Sequence, residues 1–196
     1  RKVYELDFRE QGSFQHDVLQ GFHQQLAAEG RKWRDVSPAE ARERVGRIAE
    51  EMLAHYREGL LRDSAQTRFT ARVLTRALQD FIEVIVGWMH TRYRFDPAAV
   101  ELDFDEHGRL PAWRLELGDG RALLLRGRID RVDLFRAPGA TETWCVVMDY
   151  KSSGKKLDPL LVECGAQLQL LSYLNVLQRL PAENALGVKQ LVPAGV

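Results

Sequence analysis

Two stretches decide how this chain reads: Gly127-Arg128-Ile129-Asp130-Arg131-Val132-Asp133, and Thr143-Trp144-Cys145-Val146-Val147-Met148-Asp149-Tyr150-Lys151. The second runs apolar on both faces, as a central strand does, and then ends in a charged Asp-x-Lys. Two charges at the end of such a strand are costly unless they pair or bind something. Between the stretches, Ala137-Pro138-Gly139-Ala140 is a turn signal. If the flanking strands pair antiparallel about that turn, Asp130 and Asp149 are centred at about position 139.5, inside it, and face each other. Lys151, two residues on from Asp149, then points to the same side of the sheet.

Two facing carboxylates repel, and one would keep a proton at neutral pH. A divalent cation removes that conflict, and dense oxygen ligands suit Mg²⁺ or Mn²⁺. An ammonium beside them can orient water or stabilise charge on a phosphate. Asp130, Asp149 and Lys151 together therefore fit metal-assisted phosphodiester hydrolysis. The plainer alternative is a surface ion pair, Asp149 with Lys151 or Asp130 with an arginine. The apolar run before Asp149 and the facing Asp130 count against it. Arg128 shares the Asp130 face and has two open readings, a phosphate contact or a carboxylate pair. Asp133 falls on the opposite face and reads as structural.

Outward from this centre the chain is helical first and strand-rich second. The first 12 residues read as polar and irregular. Ser13 is expected to cap a helix to about Glu29, with Phe14, Val18, Phe22 and Leu26 on one stripe and Gly30 ending it. Ser37-Pro38-Ala39-Glu40 is a capping box opening a second helix that fades near Gly59. A third helix is expected from Thr67 to Tyr93, with Val73, Leu74, Leu78, Phe81, Ile82, Ile85 and Trp88 inward. Strands follow at Ala99–Asp105, Trp113–Leu117, Arg121–Phe135 and Thr143–Lys151. Then come a helix at Gly165–Gln178 and a last strand at Leu186–Val192. The predicted class is α+β: helices, a β-meander, then helix and strand, forming a mixed sheet flanked by helices.

The composition agrees with one domain over residues 1–196, helical in 1–96 with a sheet core in 97–196. The 196 residues are 45% hydrophobic and 29% charged, and 28 Lys and Arg balance 28 Asp and Glu. That balance excludes a broad basic field, so any nucleic-acid surface must be local. Two cysteines, Cys145 and Cys164, make neither a disulfide framework nor a four-cysteine metal site, and both read as packing residues in a reducing, cytoplasmic setting. No apolar run reaches the roughly 18 residues of a membrane span. The start at Arg1 and a finish resembling the beginning of a strand suggest an excerpt of a longer protein.

The first stretch, with Val147-Met148-Asp149-Tyr150-Lys151-Ser152-Ser153, Gln167-Leu168-Gln169-Leu170-Leu171-Ser172-Tyr173-Leu174 and the N-terminal Gly12-Ser13-Phe14-Gln15-His16, resembles the RecB-type branch of the PD-(D/E)XK nucleases. Within it the chain is most similar to the nuclease domains of the AddB (RexB) type of ATP-dependent helicase–nuclease. The four motifs occur in family order across nearly the whole chain. The resemblance implies a restriction-endonuclease-like core. It implies metal ligation by His16, Asp130, Asp149 and the Tyr150 backbone carbonyl, catalysis by Lys151, and DNA contacts near Gln169 and Tyr173.

Read from the residues alone, His16 lies on a helix flank where a surface or core histidine is commoner than a ligand, and His23 reads as a surface residue. Gln169 and Tyr173 are four apart and share a helix face. Gln169 also fits a solvated helix residue, and Tyr173 a packed ring with its hydroxyl at the rim. The expected partners are DNA, as a single strand or duplex end, and a helicase subunit in double-strand-break repair, with no membrane. An iron–sulfur cluster is not supported, because neither cysteine matches the four-cysteine staple of many AddB domains. The alternatives are an exonuclease of the same superfamily in another setting, of the CRISPR-adaptation or phage type, and a nuclease fold that binds DNA or a partner without cutting.

Overall fold

The computed structural model describes residues 8–55, 65–150, 159–164 and 167–196. The chain forms two compact units, Arg1–Arg94 and Phe95–Val196.

The first unit is helical: α1 (Phe8–Ala28), a 3₁₀ turn (Trp33–Asp35), α2 (Pro38–His55) and α3 (Ala65–Thr91). Phe14, Val18, Phe22 and Leu26 are buried, as their spacing of four predicts. The helix begins before Ser13, which is therefore an interior residue and not its cap. Gly30 ends it at φ +67°, and Arg31 N–H donates back to the Leu26 carbonyl at 2.8 Å. The second helix starts as expected, with Glu40 N–H donating to Ser37 Oγ at 3.1 Å. Trp33 meets Phe22 edge-on at 5.0 Å and donates its indole N–H to His23 Nδ1 at 3.2 Å. His23 is thus half-buried and partnered, where the sequence suggested a surface residue.

The α3 stripe is rotated from the expected one. Leu74, Leu78, Ile82, Val86 and Met89 are buried, while Val73 and Trp88 are exposed. The helix is apolar around much of its circumference, so periodicity alone leaves its phase open. The expected end of α2 near Gly59 lies outside the described residues.

The second unit holds a four-stranded mixed sheet in the order β1-β4-β5-β6. These strands are β1 (Asp96–Phe104), β4 (Gly127–Phe135), β5 (Thr143–Met148) and β6 (Leu191–Gly195). The pairs β1–β4 and β4–β5 are antiparallel, and β5–β6 is parallel. A separate hairpin is made by β2 (Trp113–Gly118) and β3 (Arg121–Leu125). The expected meander is therefore interrupted, and the expected single strand Arg121–Phe135 is two strands in two sheets, parted at Arg126. Gly127 sits where β1 and β4 approach closely. A Cβ there would lie 2.7 Å from Phe104 Cζ, and Phe104 is its partner across β1 and β4.

Among the described residues the unit also holds the short helices α4 (Pro159–Glu163), α5 (Gln169–Arg179) and α6 (Ala182–Leu186). The helix expected from Gly165 thus begins at Gln169. Helix α6 was not foreseen, and the last strand starts five residues later than expected. Tyr173, Val176 and Leu177 of α5 join Ala99, Leu102, Ile129, Val132 and Val147 in one buried apolar cluster. Trp144 is half-exposed although β5 lies inside the sheet, and Cys164 is exposed and so does not pack as expected. Among the described residues, no helix is long and apolar enough to cross a membrane.

Candidate metal and phosphodiester site

The register about the Pro138-Gly139 turn is the one its position predicts. Arg131 pairs with Met148, Val132 with Val147 and Asp133 with Val146. One step further along that register sets Asp130 opposite Asp149. On the other side of β4, Val100 pairs with Arg131 and Leu102 with Ile129. Glu101 therefore faces Asp130 from β1. Glu101 and Asp130 are thus neighbours across β1 and β4, and Asp149 follows directly on the end of β5.

The pair is partly desolvated. Glu101 is 7% exposed and Asp130 8%, and carboxylate oxygens of the two lie within 4.8 Å of each other. Glu101 also stands at φ +51°, the left-handed region that non-glycine residues rarely occupy and that costs about 1–2 kcal/mol. A strained backbone delivering one buried carboxylate to another is characteristic of binding sites. Such a pair is stable when a cation sits against it, and carboxylates offer the hard oxygen donors that Mg²⁺ and Mn²⁺ take. The residues present thus fit a divalent ion.

Asp130 and Asp149 are each held by named donors. The Tyr150 amide donates to Asp130 Oδ2 at 2.7 Å. Gln169 Nε2 donates to Asp149 Oδ1 at 2.9 Å and to Tyr173 Oη at 2.9 Å. Tyr173 is buried, with its ring edge-on to Phe104 at 5.9 Å. The glutamine and tyrosine four apart on α5 are therefore joined to each other and to the strand end. Burial pushes the Tyr150 phenol above its ordinary value, with Arg131 pulling the other way.

Arg128 resolves toward carboxylate pairing. Its Nε donates to Asp103 Oδ1 at 2.6 Å, and its Nη1 reaches Glu101 Oε2 at 3.5 Å. The hydrogen bond to Asp103 raises its pKa against partial desolvation. Asp133 lies on the opposite face and is fully buried against Arg131, as the alternation of β4 predicts. His16 sits inside α1 and is half-buried. Lys151 lies outside the described residues.

Glu101 was missed in the sequence. The signal was present in Val100-Glu101-Leu102, an acid flanked by two apolar residues. Its meaning depends on β1 pairing with β4 and not with the next strand in the chain.

A mixed sheet flanked by helices, with two acids facing each other on adjacent strands, is the restriction-endonuclease-like class of fold. The chain belongs to the PD-(D/E)XK nuclease superfamily, whose family model matches residues 1–195. It is 34% identical over 196 residues to the AddB-type subunit of the ATP-dependent helicase/deoxyribonuclease of Caldanaerobacter subterraneus subsp. tengcongensis, covering 100% of this chain and 16% of that protein. The corresponding subunit from Moorella thermoacetica is 34% identical over 174 residues, 89% of this chain and 15% of the relative. That from Acetivibrio thermocellus is 34% identical over 183 residues, 90% of this chain and 15% of the relative. The chain thus spans about a sixth of the length of these curated relatives.

Proposed function

We propose that this chain is a deoxyribonuclease domain that hydrolyses phosphodiesters with a divalent cation, Mg²⁺ or Mn²⁺. The observation that carries the reading is the buried Glu101–Asp130 carboxylate pair, with Asp149, next along the β4–β5 register, bonded by Gln169. Asp130, Asp149, Glu101 and the Tyr150 carbonyl would hold the ion. When bound, the ion supplies positive charge against the scissile phosphate and lowers the cost of forming hydroxide from water. Lys151 follows Asp149 by two residues, and its ammonium would orient the attacking water or offset charge on the phosphate. Gln169 holds the Asp149 carboxylate in one rotamer. Tyr173 and Arg128 would contact the DNA strand, Arg128 by exchanging a carboxylate partner for a phosphate.

The relatives are subunits of a helicase/deoxyribonuclease. We infer by analogy that the full protein works in the cytoplasm with a helicase partner, on DNA ends during double-strand-break repair. The test is cleavage of end-labelled linear single-stranded DNA by the full-length protein with Mg²⁺, with Mn²⁺ and with EDTA, beside the Lys151→Ala and Asp149→Ala variants. Metal-dependent cutting that both variants lose is the expected result. Cutting that persists in both, or an absence of cutting together with no Mn²⁺ binding, overturns the reading.

A further inference from the structure

Strand β5 ends at Met148, so Asp149 and Tyr150 lie past the last rung of the sheet. Their placement rests on tethers other than the ladder. One is a buried ion pair. Arg131 and Asp133 are two apart on β4, on the face away from Asp130, and their side chains are 1% and 0% exposed. The guanidinium grips the carboxylate with two parallel bonds, Nε to Oδ1 at 2.6 Å and Nη2 to Oδ2 at 2.5 Å. Its remaining nitrogen, Nη1, donates to Tyr150 Oη at 3.4 Å. Desolvation opposes the Arg131 charge, and Tyr150 and Asp133 outweigh it, so the guanidinium is held as a cation.

Burying such a pair brings little stability by itself, because desolvation consumes most of the Coulombic gain. Here the pair is aimed at a residue whose backbone does something specific. The Tyr150 ring is anchored behind the sheet, while its amide donates to Asp130 Oδ2 in front. Its neighbours in the chain are Asp149 and Lys151.

We propose that Arg131 and Tyr150 are positioning residues of the metal site, the Arg131–Asp133 pair pinning the Tyr150 side chain so that its backbone fixes the Asp130 carboxylate and the main chain at Asp149. The proposal rests on the nuclease reading above. It differs from a structural role in what it predicts. Loss of the Tyr150 hydroxyl loosens the ligands without opening the core. Replacing the ion pair by apolar residues of similar size keeps the fold and still releases the tyrosine.

The experiment compares the full-length protein with its Tyr150→Phe variant, its Arg131→Met/Asp133→Leu double variant and Asp130→Asn. Each is measured by calorimetric Mn²⁺ titration, by thermal melting in EDTA and by kcat and KM on single-stranded DNA. Tyr150→Phe is expected to weaken Mn²⁺ binding and lower kcat by about tenfold, the range for groups that orient metal ligands, with KM and melting temperature unchanged. The double variant is expected to show the same loss of metal affinity at a melting temperature near the parent's. Unchanged Mn²⁺ affinity in Tyr150→Phe, or a loss matched by a fall in melting temperature in both variants, overturns the proposal. If Asp130→Asn binds Mn²⁺ as the parent does, the metal-site reading itself fails and takes the proposal with it.

Discussion

One amide nitrogen joins two of the site's elements: Gln169 Nε2 donates to Asp149 Oδ1 and to Tyr173 Oη, each at 2.9 Å. Its two protons are thereby both directed, and the carboxylate at the end of β5 is tied to a buried ring of α5. Gln169→Leu keeps the helix and its packing while removing both bonds. We expect kcat on DNA to fall about 10- to 100-fold, as for other groups that orient metal ligands, with little change in melting temperature. Steady-state kinetics beside a thermal melt decide it. A large fall in melting temperature would mean that the link serves folding.

Glu101 should show opposite effects on stability and on binding. Its backbone sits at φ +51° and its carboxylate is buried beside Asp130. Glu101→Gly relieves both the strained φ and the like-charge repulsion. We expect chemical denaturation in EDTA to give a variant about 1 kcal/mol more stable than the parent, and calorimetry to show much weaker Mn²⁺ binding. In the parent, Mn²⁺ at a hundredfold excess over its Kd should add about 2.7 kcal/mol, a gain that Glu101→Gly should largely forfeit.

Gly127 marks the closest approach of β4 to Phe104. A methyl group at that position would lie 2.7 Å from Cζ and 2.9 Å from Cε1 of the ring. The ring in turn rests against Tyr173. Gly127→Ala should cost about 1–3 kcal/mol from overpacking, read as a lower denaturant midpoint with an unchanged slope. A neutral result would mean that the ring moves freely.

The two cysteines should react very differently. Cys164 is exposed and Cys145 is buried. One equivalent of a thiol reagent should label the native protein at Cys164, and Cys145 should react only on unfolding. Burial also raises the Cys145 thiol from 9.0 to about 11. The folded state therefore holds this proton more tightly than the unfolded chain does. Its stabilising contribution is complete below about pH 9 and is lost as the pH rises through about 11. Cys145→Ala should flatten the fall of stability over that window, measured by urea unfolding at successive pH values.

Much of this was legible in the chain itself. The stripe of Phe14, Val18, Phe22 and Leu26, the Ser37 cap and the Pro138-Gly139 turn are local patterns, and local patterns report local geometry. The turn was enough to set Asp130 opposite Asp149, because an antiparallel register follows once its centre is known. The four spaced motifs were enough for the family.

What only the tertiary structure decided depends on which segments become neighbours. The sequence reads Arg121–Phe135 as one strand, since nothing local distinguishes Arg126 from a strand residue. The break there sends β3 to the hairpin and frees β4 to pair with β1. That pairing, between strands separated by the whole hairpin, is what brings Glu101 to Asp130. The facing direction of Trp88 and Val73 likewise depended on which side of an apolar helix found partners. Side-chain alternation and turn chemistry are carried by adjacent residues, whereas strand order is set by burial summed over the whole unit. The third carboxylate of the site belongs to that second kind of information.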